Sequence, residues 1–298
     1  MDPALQQDRR GRPVGGRSGP APQLWLLLPA TLFLVALFVL PVMHVVRVSF
    51  QPAAGGGSSF GQYLRFARDP YYLSILWFTV KVSLMVTALD LVLGYPVALM
   101  IASANRRMAR LLYLIVVSPL LVSLVVRTYG WMVILAPNGL VNQALKWLGV
   151  TEGLRLMYNE TGVVIGMTHI LLPFVVLTVT AAIQNIDPAL AEAAATLGAS
   201  RLEVFRRVTL PLSLPGVFVG ALLVFILTLG SYVTPALLGG DRGVVISSLV
   251  FDNSILLANW PFGAAIAVVF LVMSLAFVVL YEGLVGRALR EGASQSGA

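Results

Sequence analysis

The sequence predicts an all-α protein, namely a polytopic membrane helical bundle with six transmembrane helices. Hydrophobic residues make up 58% of the 298 residues and charged residues only 11%, whereas a soluble domain carries about 25% charged residues. Six separate stretches approach or exceed the roughly 20 apolar residues that a helix needs to cross a bilayer core. Because so few charges remain to cover a water-facing surface, a membrane bundle is the expected fold class.

The six candidate spans cover residues 24–46, 72–102, 111–136, 162–186, 214–238 and 262–286. The first is longer than a signal-peptide core and no A-x-A site follows it, so we expect a retained anchor helix. The second contains Gly94-Tyr95-Pro96, where we expect a kink or an end, because proline disrupts helical hydrogen bonding. In the fifth, Gly230, Pro235 and Gly239 are expected to weaken the helix.

The segments outside the spans are short and polar. Residues 1–22 are rich in Gly, Pro, Gln and Arg and are expected to form a disordered cytoplasmic tail. The transmembrane domain then covers 23–290, and 291–298 form a second cytoplasmic tail. Gln51–Ser59 is typical of a flexible external linker. Apolar positions recur between Leu140 and Leu148 and predict a short amphipathic helix on the outer surface.

The basic residues orient the bundle. With the N-terminus inside, the cytoplasmic segments hold 12 arginines and the external segments 6 basic residues. The positive-inside bias therefore predicts that both termini are cytoplasmic. It also accounts for the net charge of +7 without a nucleic-acid partner. The cytoplasmic set is Arg9, Arg10, Arg12, Arg17, Arg106, Arg107, Arg110, Arg201, Arg206, Arg207, Arg287 and Arg290; the external set is Arg47, Arg65, Arg68, Lys146, Arg155 and Arg242.

Several kinds of catalytic or metal site are absent from the sequence. There is no cysteine, which excludes disulfides and thiolate chemistry. The two histidines, His44 and His169, are isolated in apolar segments, so structural roles are expected and no metal site. The two lysines, Lys81 and Lys146, do not belong to a G-x-x-x-x-G-K-[ST] loop, so the chain has no phosphate cradle of its own for ATP.

The loop between spans four and five, residues 187–211, carries local signals for two helices. Asp187 is a favoured N-cap, and proline at position 188 suits the first helical position. Gly198 stands where a left-handed C-terminal cap is expected. Ser200 and Glu203 have the spacing of a capping box that starts a second helix. That helix is expected to run to about Leu210, because Pro211 limits its continuation.

The residue order of this loop is similar to a known family. Glu192-Ala193-Ala194, then Gly198, then Val208-x-Leu210-Pro211 resembles the EAA loop of binding-protein-dependent ABC importer permeases, although that pattern usually has isoleucine at position 208. The resemblance implies a type I ABC importer permease (MetI-like) architecture and a non-catalytic subunit. It further implies that the loop couples to the ATPase through Glu192, Ala193, Ala194, Gly198, Ser200, Arg201, Glu203, Arg206, Leu210 and Pro211.

Other stretches resemble the spermidine/putrescine branch of that family, including Arg127-Thr128-Tyr129-Gly130-Trp131 and Asn259-Trp260-Pro261-Phe262-Gly263. Permeases for iron, opines, phosphonates or amino-acid-like solutes share much of this pattern, so another small solute remains an alternative. The resemblance implies an inner-membrane assembly with two ATP-binding subunits, a second permease (identical or sister) and an extracytoplasmic binding protein. ATP and Mg²⁺ would be bound by the ATPase subunits, and this chain would carry no cofactor.

Polar residues within the spans are candidates for the pathway. Asp90 lies deep in span two and either lines the path for a cationic substrate or makes a hydrogen bond to another span. Ser231, Tyr232, Thr234 and Pro235 occupy the weakened part of span five, and irregular backbone at membrane depth is tolerated only when it is buried or lines a cavity. This segment is the leading candidate for pore and gate.

We expect structural roles for two more charged residues of the spans. Arg127 is expected to pair with an acid such as Glu160 or with a backbone carbonyl. Lys81 lies nine residues before Asp90, on the opposite face of the same helix, and is expected to extend toward the interface.

Two rival functions explain less of the sequence. An ion-coupled secondary transporter would show inverted repeats and paired acids or histidines at the midplane. An intramembrane serine protease would need an activated serine with a histidine partner, and Gly230-Ser231 lacks a G-x-S-x-G context. Neither rival accounts for the loop at 187–211.

Overall fold

The computed structural model describes residues 23–52, 60–149 and 154–295, and these ranges contain helices, turns and loops but no β-strand. The predicted N-terminal tail at 1–22 and most of the predicted linker at 51–59 lie outside the described residues. The last helix continues to Gln295, into the predicted C-terminal tail at 291–298, whose place in the cytoplasm stays a prediction.

Thirteen α-helices are present in the described ranges. Two 3₁₀ turns (Ser118–Leu121 and Gly240–Arg242) and two π turns (Phe205–Thr209 and Asp252–Leu256) accompany them. The helices are α1 Gln23–Ser49, α2 Gly61–Arg68, α3 Pro70–Ser103, α4 Arg106–Val117, α5 Leu124–Leu135, α6 Leu140–Trp147, α7 Glu160–Gln184, α8 Pro188–Thr196, α9 Arg201–Val204, α10 Leu210–Leu229, α11 Val233–Gly239, α12 Ile246–Phe251 and α13 Trp260–Gln295.

The chain divides into two compact units. The first, Met1–Val45, contains within the described residues most of the apolar helix α1. The second unit, Val46–Ala298, holds the end of α1 and all later helices.

Six helical stretches of the described chain are long and apolar enough to cross a membrane, as the sequence predicted. They are Leu28–Ser49, Pro70–Ser103, Leu124–Trp147, Glu160–Gln184, Arg201–Leu229 and Trp260–Gly286.

The third span differs from the prediction of one helix over 111–136. A 3₁₀ turn at Ser118–Leu121 follows α4, and Val122 and Ser123 then adopt extended backbone before α5 begins. Pro119 lies in this turn, where its missing N–H and fixed ring oppose an uninterrupted α-helix. The apolar stretch of membrane length therefore begins later, at Leu124, and includes α6. A helix is present where the amphipathic helix at 140–148 was predicted, as α6, and its place on the outer surface stays a prediction.

Helix α3 does not end at Gly94-Tyr95-Pro96, since it continues to Ser103. Glycine at position 94 allows a neighbour to come close, because a Cβ there would lie 2.9 Å from Val175 Cγ1 of α7. The Tyr95 hydroxyl is 2.8 Å from Ser213 Oγ of α10. This motif is thus a packing point of three helices and not a terminus.

The core of the second unit lies where α7 packs between α3 and α10. Its buried residues are mostly branched aliphatics, including Val82, Val86, Val175, Val179 and Val224, each 0–2% exposed. Small residues let the α10 and α7 backbones approach, since a Cβ at Gly216 would lie 2.3 Å from Ala182 Cβ. This layer fixes the positions of the polar and broken segments that follow.

Replacing Gly216 with alanine should destabilise the chain by about 1–3 kcal/mol, because the added methyl group overpacks a filled interface. The apparent Tm of the detergent-solubilised protein is the measurement. Gly283→Ala is the matched control, since a Cβ at that helical position meets nothing within 4 Å. Equal Tm values for both variants would contradict the described packing of α7 and α10.

Candidate functional site

The loop at 187–211 begins with helix α8, which starts and ends as its sequence predicts. The Asp187 carboxylate caps the helix by accepting from the N–H of Ala189 at 2.9 Å. At the other end Gly198 has a φ of +87°, the left-handed conformation that favours glycine. Its N–H donates to the Ala195 carbonyl, and the N–H of residue 199 donates to the Ala194 carbonyl. This pair of bonds is a Schellman motif, which holds the chain in a fixed turn.

The second helix of the loop begins with the predicted capping box. The Ser200 N–H donates to Glu203 Oε2 at 2.8 Å, and the Glu203 N–H donates to Ser200 Oγ at 3.3 Å. Both backbone N–H groups thereby have hydrogen-bond acceptors at the start of α9. The turn between α8 and α9 is therefore defined by backbone and side-chain hydrogen bonds and does not depend on a partner.

The prediction that Pro211 limits this helix is wrong, because the backbone remains helical from Arg201 to Leu229. A π turn at Phe205–Thr209 joins α9 to α10, and the N–H of Leu210 donates to the Phe205 carbonyl. The wider turn comes just before the proline, whose ring and missing N–H would interrupt a regular α-helix. The loop is thus continuous with a membrane span.

The loop presents an apolar and small-residue surface to its surroundings. Leu197 is 90% exposed, Ala193 is exposed, and Ala194 is half-buried. An open cavity of about 310 Å³ lies between the two helices, with Gly198 and Arg207 among the residues that line it. Leu197 and the small residues around this cavity are therefore accessible from outside the chain.

The remaining loop residues of the predicted set surround this surface. Glu192, Ser200, Arg201, Glu203, Arg206 and Pro211 are exposed, and Leu210 is half-buried where the span begins. The fold therefore brings most of the predicted coupling residues to one accessible loop. Their contact with an ATPase stays a prediction.

The fifth span is broken where the sequence predicted weakness. Helix α10 ends at Leu229, and Gly230, Ser231 and Tyr232 separate it from α11. The Ser231 carbonyl accepts from Ser247 Oγ at 2.5 Å. The Ser231 hydroxyl donates to the Met167 sulfur at 3.4 Å. Side chains of this chain thus satisfy the interrupted backbone, as irregular structure at membrane depth requires.

The four pore candidates of this segment have different environments. Thr234 and Pro235 are buried, and the Thr234 hydroxyl lies 3.1 Å from that of Thr128 on α5. Ser231 and Tyr232 are half-buried, and the Tyr232 ring packs on Phe251 with centroids 4.9 Å apart. Ser231 and Tyr232 therefore reach the surface of the chain, whereas Thr234 and Pro235 hold α11 against its neighbours.

Asp90 is fully buried in α3, with 0% of its surface exposed. Neither carboxylate oxygen has a hydrogen-bond partner among the described residues. The alternative of a structural hydrogen bond to another span is therefore not observed within that part of the chain. Its place in a pathway stays a prediction.

An ion pair that the sequence reasoning missed joins α3 and α7. Lys81 Nζ lies 2.7 Å from Glu160 Oε1, with both side chains partly exposed. The expected pairing of Arg127 with Glu160 is wrong, because Lys81 holds that carboxylate. Sequence reasoning did not indicate the Lys81–Glu160 pair, because the two residues are 79 positions apart.

A second cavity, of about 490 Å³, lies on the connection between α6 and α7. Arg155, Arg242 and Tyr158 are among its lining residues. Asn142 supports it by donating to the Leu154 carbonyl and accepting from the same residue's N–H. Its lining residues lie within 135–159 except for Arg242, and no sequence motif indicated it.

Residues 91–290 match the family described as binding-protein-dependent transport system inner membrane component. The chain belongs to this family. It is therefore a transport subunit, a permease with several apolar helices in an inner membrane. Its loop at 187–211 is the segment whose pattern indicated that family.

Curated relatives extend the similarity over most of the permease. It is 35% identical over 216 residues to spermidine/putrescine transport system permease protein PotB of Escherichia coli (strain K12), which covers 72% of this chain and 78% of the relative. It is 32% identical over 256 residues to the protein of the same name from Salmonella typhimurium (strain SL1344), covering 84% and 88%. Molybdenum transport system permease protein ModB of Mycobacterium bovis is 28% identical, with 87% and 93% covered.

Solved structures confirm the fold. A chain of the bacterial alginate ABC transporter, crystallised with an alginate pentasaccharide-bound periplasmic protein, has a TM-score of 0.75 at 22% identity and covers 90% of this permease and 95% of that chain. A chain of the inward-facing MetNI methionine ABC transporter has a TM-score of 0.56 at 19% identity, covering 74% and 94%. The all-α, type I importer permease architecture is therefore shown.

Replacing Gly198 with valine should cost the loop about 1–2 kcal/mol, because a side chain at φ +87° is strained in the left-handed region. Gly198→Asn should cost less, because asparagine tolerates this conformation. A Cβ here meets nothing within 4 Å, so backbone strain alone separates the two variants. Hydrogen exchange of residues 188–204 should be faster in the valine variant, and equal exchange in both variants would contradict the Schellman turn.

Proposed function

We propose that this permease is a subunit of an ATP-driven importer that moves a polyamine, spermidine or putrescine, into the cell. The observation that carries the proposal is its similarity to curated spermidine/putrescine permeases, at 35% identity over 72% of the chain and 32% over 84%. An extracytoplasmic binding protein would deliver the solute, and a second permease would complete the path.

The energy for transport would come from two ATP-binding partner subunits. The permease has no G-x-x-x-x-G-K-[ST] loop, so ATP and Mg²⁺ would be held by the partners. The exposed surface around Leu197 and Ala193, with the cavity beside Gly198, suits contact with such a subunit. Because the backbone is helical from Arg201 to Leu229, a movement of the loop would pass directly to the fifth span.

The path for the solute would run beside the broken fifth span. Ser231 and Tyr232 are half-buried there, and an aromatic ring attracts ammonium groups. Thr234 and Pro235 would keep α11 in place. The carboxyl of Asp90, which has no protein partner among the described residues, would attract the cationic solute once the bundle opens toward it.

Both termini would lie in the cytoplasm. The supporting observation is the distribution of basic residues, 12 in the segments assigned to the inside and 6 in those assigned to the outside. The same orientation places the loop at 187–211 on the side where ATP is available.

Single-cysteine labelling tests this orientation directly, because the natural sequence has no cysteine. An Arg155→Cys variant should react with a membrane-impermeant maleimide in intact spheroplasts. An Arg107→Cys variant should react only after the membrane is permeabilised. Both side chains are exposed, so accessibility within the fold does not separate them. The reverse labelling pattern would show that the topology is the opposite of the proposed one.

Uptake of radiolabelled spermidine and putrescine tests the substrate. In a strain without other polyamine importers, deletion of this permease should abolish uptake, and expression of the wild-type permease should restore it. Expression of the Gly198→Asp variant should leave uptake low, provided that immunoblots show normal amounts of the variant in the membrane. Unchanged polyamine uptake after deletion would refute the polyamine assignment and leave family membership intact.

A further inference from the structure

Arg127, within α5, has no counter-charge in the described part of the chain. Its Nε and Nη1 atoms are buried and have no hydrogen-bond partner there. The acid that depth would favour, Glu160, is held by Lys81 at 2.7 Å. A charged group inside a membrane span is costly unless it faces a partner or a cavity. The guanidinium therefore needs an anion from outside this chain.

A second unpartnered polar group lies on the neighbouring helix α7. The Nδ1 atom of His169 is buried without a partner among the described residues. Trp131, one turn beyond Arg127 on α5, packs edge-on against His169 with ring centroids 5.3 Å apart. The tryptophan holds the imidazole against the face of α5 that carries Arg127, because residues i and i+4 share a helix face. An oxyanion here would meet the Arg127 donors and, when Nδ1 carries the proton, the histidine as well.

The neighbouring surface of α5 is unpartnered in this chain. Val126, Tyr129 and Val133 are 60%, 54% and 68% exposed, and Arg127 is half-buried at the edge of this face. A polyamine is cationic and would be repelled by the guanidinium, so the solute is not the missing anion. A protein surface that carries one acid satisfies both the apolar face and the charge.

We propose that Arg127 and His169 bind a carboxylate side chain of the second permease subunit. The inference rests on the proposed function in one respect, the presence of that second permease. The carboxylate is assigned to a sister chain, because two acids of an identical copy are not free to pair with Arg127. Asp90 is 0% exposed, and Glu160 is occupied by Lys81.

The test is retention of the sister permease during purification of the full importer through a tag on this chain. Removing one partner of a buried charge pair speeds dissociation strongly, so Arg127→Met should release the sister subunit at least about tenfold faster than wild type. Arg127→Lys should give an intermediate rate, because it keeps the charge but loses the planar fork. Arg68→Met, at an exposed arginine of α2, is the matched control and should match wild type.

A second measurement separates lost pairing from lost folding. Purified alone, Arg127→Met should be at least as stable as wild type by apparent Tm, because it removes a charge that this chain leaves uncompensated. If Arg127→Met retains the sister subunit as well as the wild type does, the proposal is overturned. A lower Tm of the isolated variant together with normal retention would also overturn it and would assign Arg127 to internal packing.

Other outcomes identify a different anion or a failed assembly. If anionic lipid raises the Tm of the isolated wild type but not of Arg127→Met, and retention is unchanged, the site binds a lipid phosphate and the proposal is overturned. Mass spectrometry that finds a second copy of this chain in place of a sister would overturn the choice of partner. Retention does not depend on the solute, so a failed polyamine assay leaves this test intact.

Discussion

The packing of α7 between α3 and α10 supports the rest of the structure. Val175 of α7 is fully buried and faces a glycine on each neighbouring helix. A Cβ at Gly94 of α3 would lie 2.9 Å from its side chain, and a Cβ at Gly220 of α10 would lie 3.4 Å from its Cα. In lipid there is little hydrophobic drive between helices, so close contact through small residues supplies the association. Larger side chains at either glycine would separate the three helices.

This packed layer connects the loop at 187–211 to the broken span. Helix α10 lies in the layer along much of its length, continues backward through the π turn into the loop, and ends forward at Leu229 where the break begins. A partner that moves the exposed loop would therefore act on an element that is continuous to membrane depth. The hydrogen bonds of Gly198 and Ser200 make the loop rigid enough to carry that movement.

The charges within the spans divide into satisfied and unsatisfied groups. Lys81 and Glu160 compensate each other at 2.7 Å. Asp90 and Arg127 have no such partner in the described residues. Because an isolated charge in a membrane is expensive, these two residues point to what the chain binds outside itself. Asp90 is proposed to attract the cationic solute, and Arg127 is proposed to bind an acid of the sister permease.

The amino-acid sequence by itself determined the features that depend on near neighbours along the chain. The apolar spans follow from composition, and the caps at Asp187, Gly198 and Ser200 follow from hydrogen bonds between residues at most five apart. The family could also be identified from the sequence, because its characteristic pattern lies within one loop.

The tertiary structure decided which distant residues meet and where a local signal is overridden. Proline 211 did not stop its helix, because a π turn precedes it, and the third span broke at Ser118–Leu121. Glu160 pairs with Lys81, 79 residues away, so Arg127 has no acidic partner among the described residues. Contacts over such separations depend on how the packed helices are placed, and periodicity along the chain does not encode that placement.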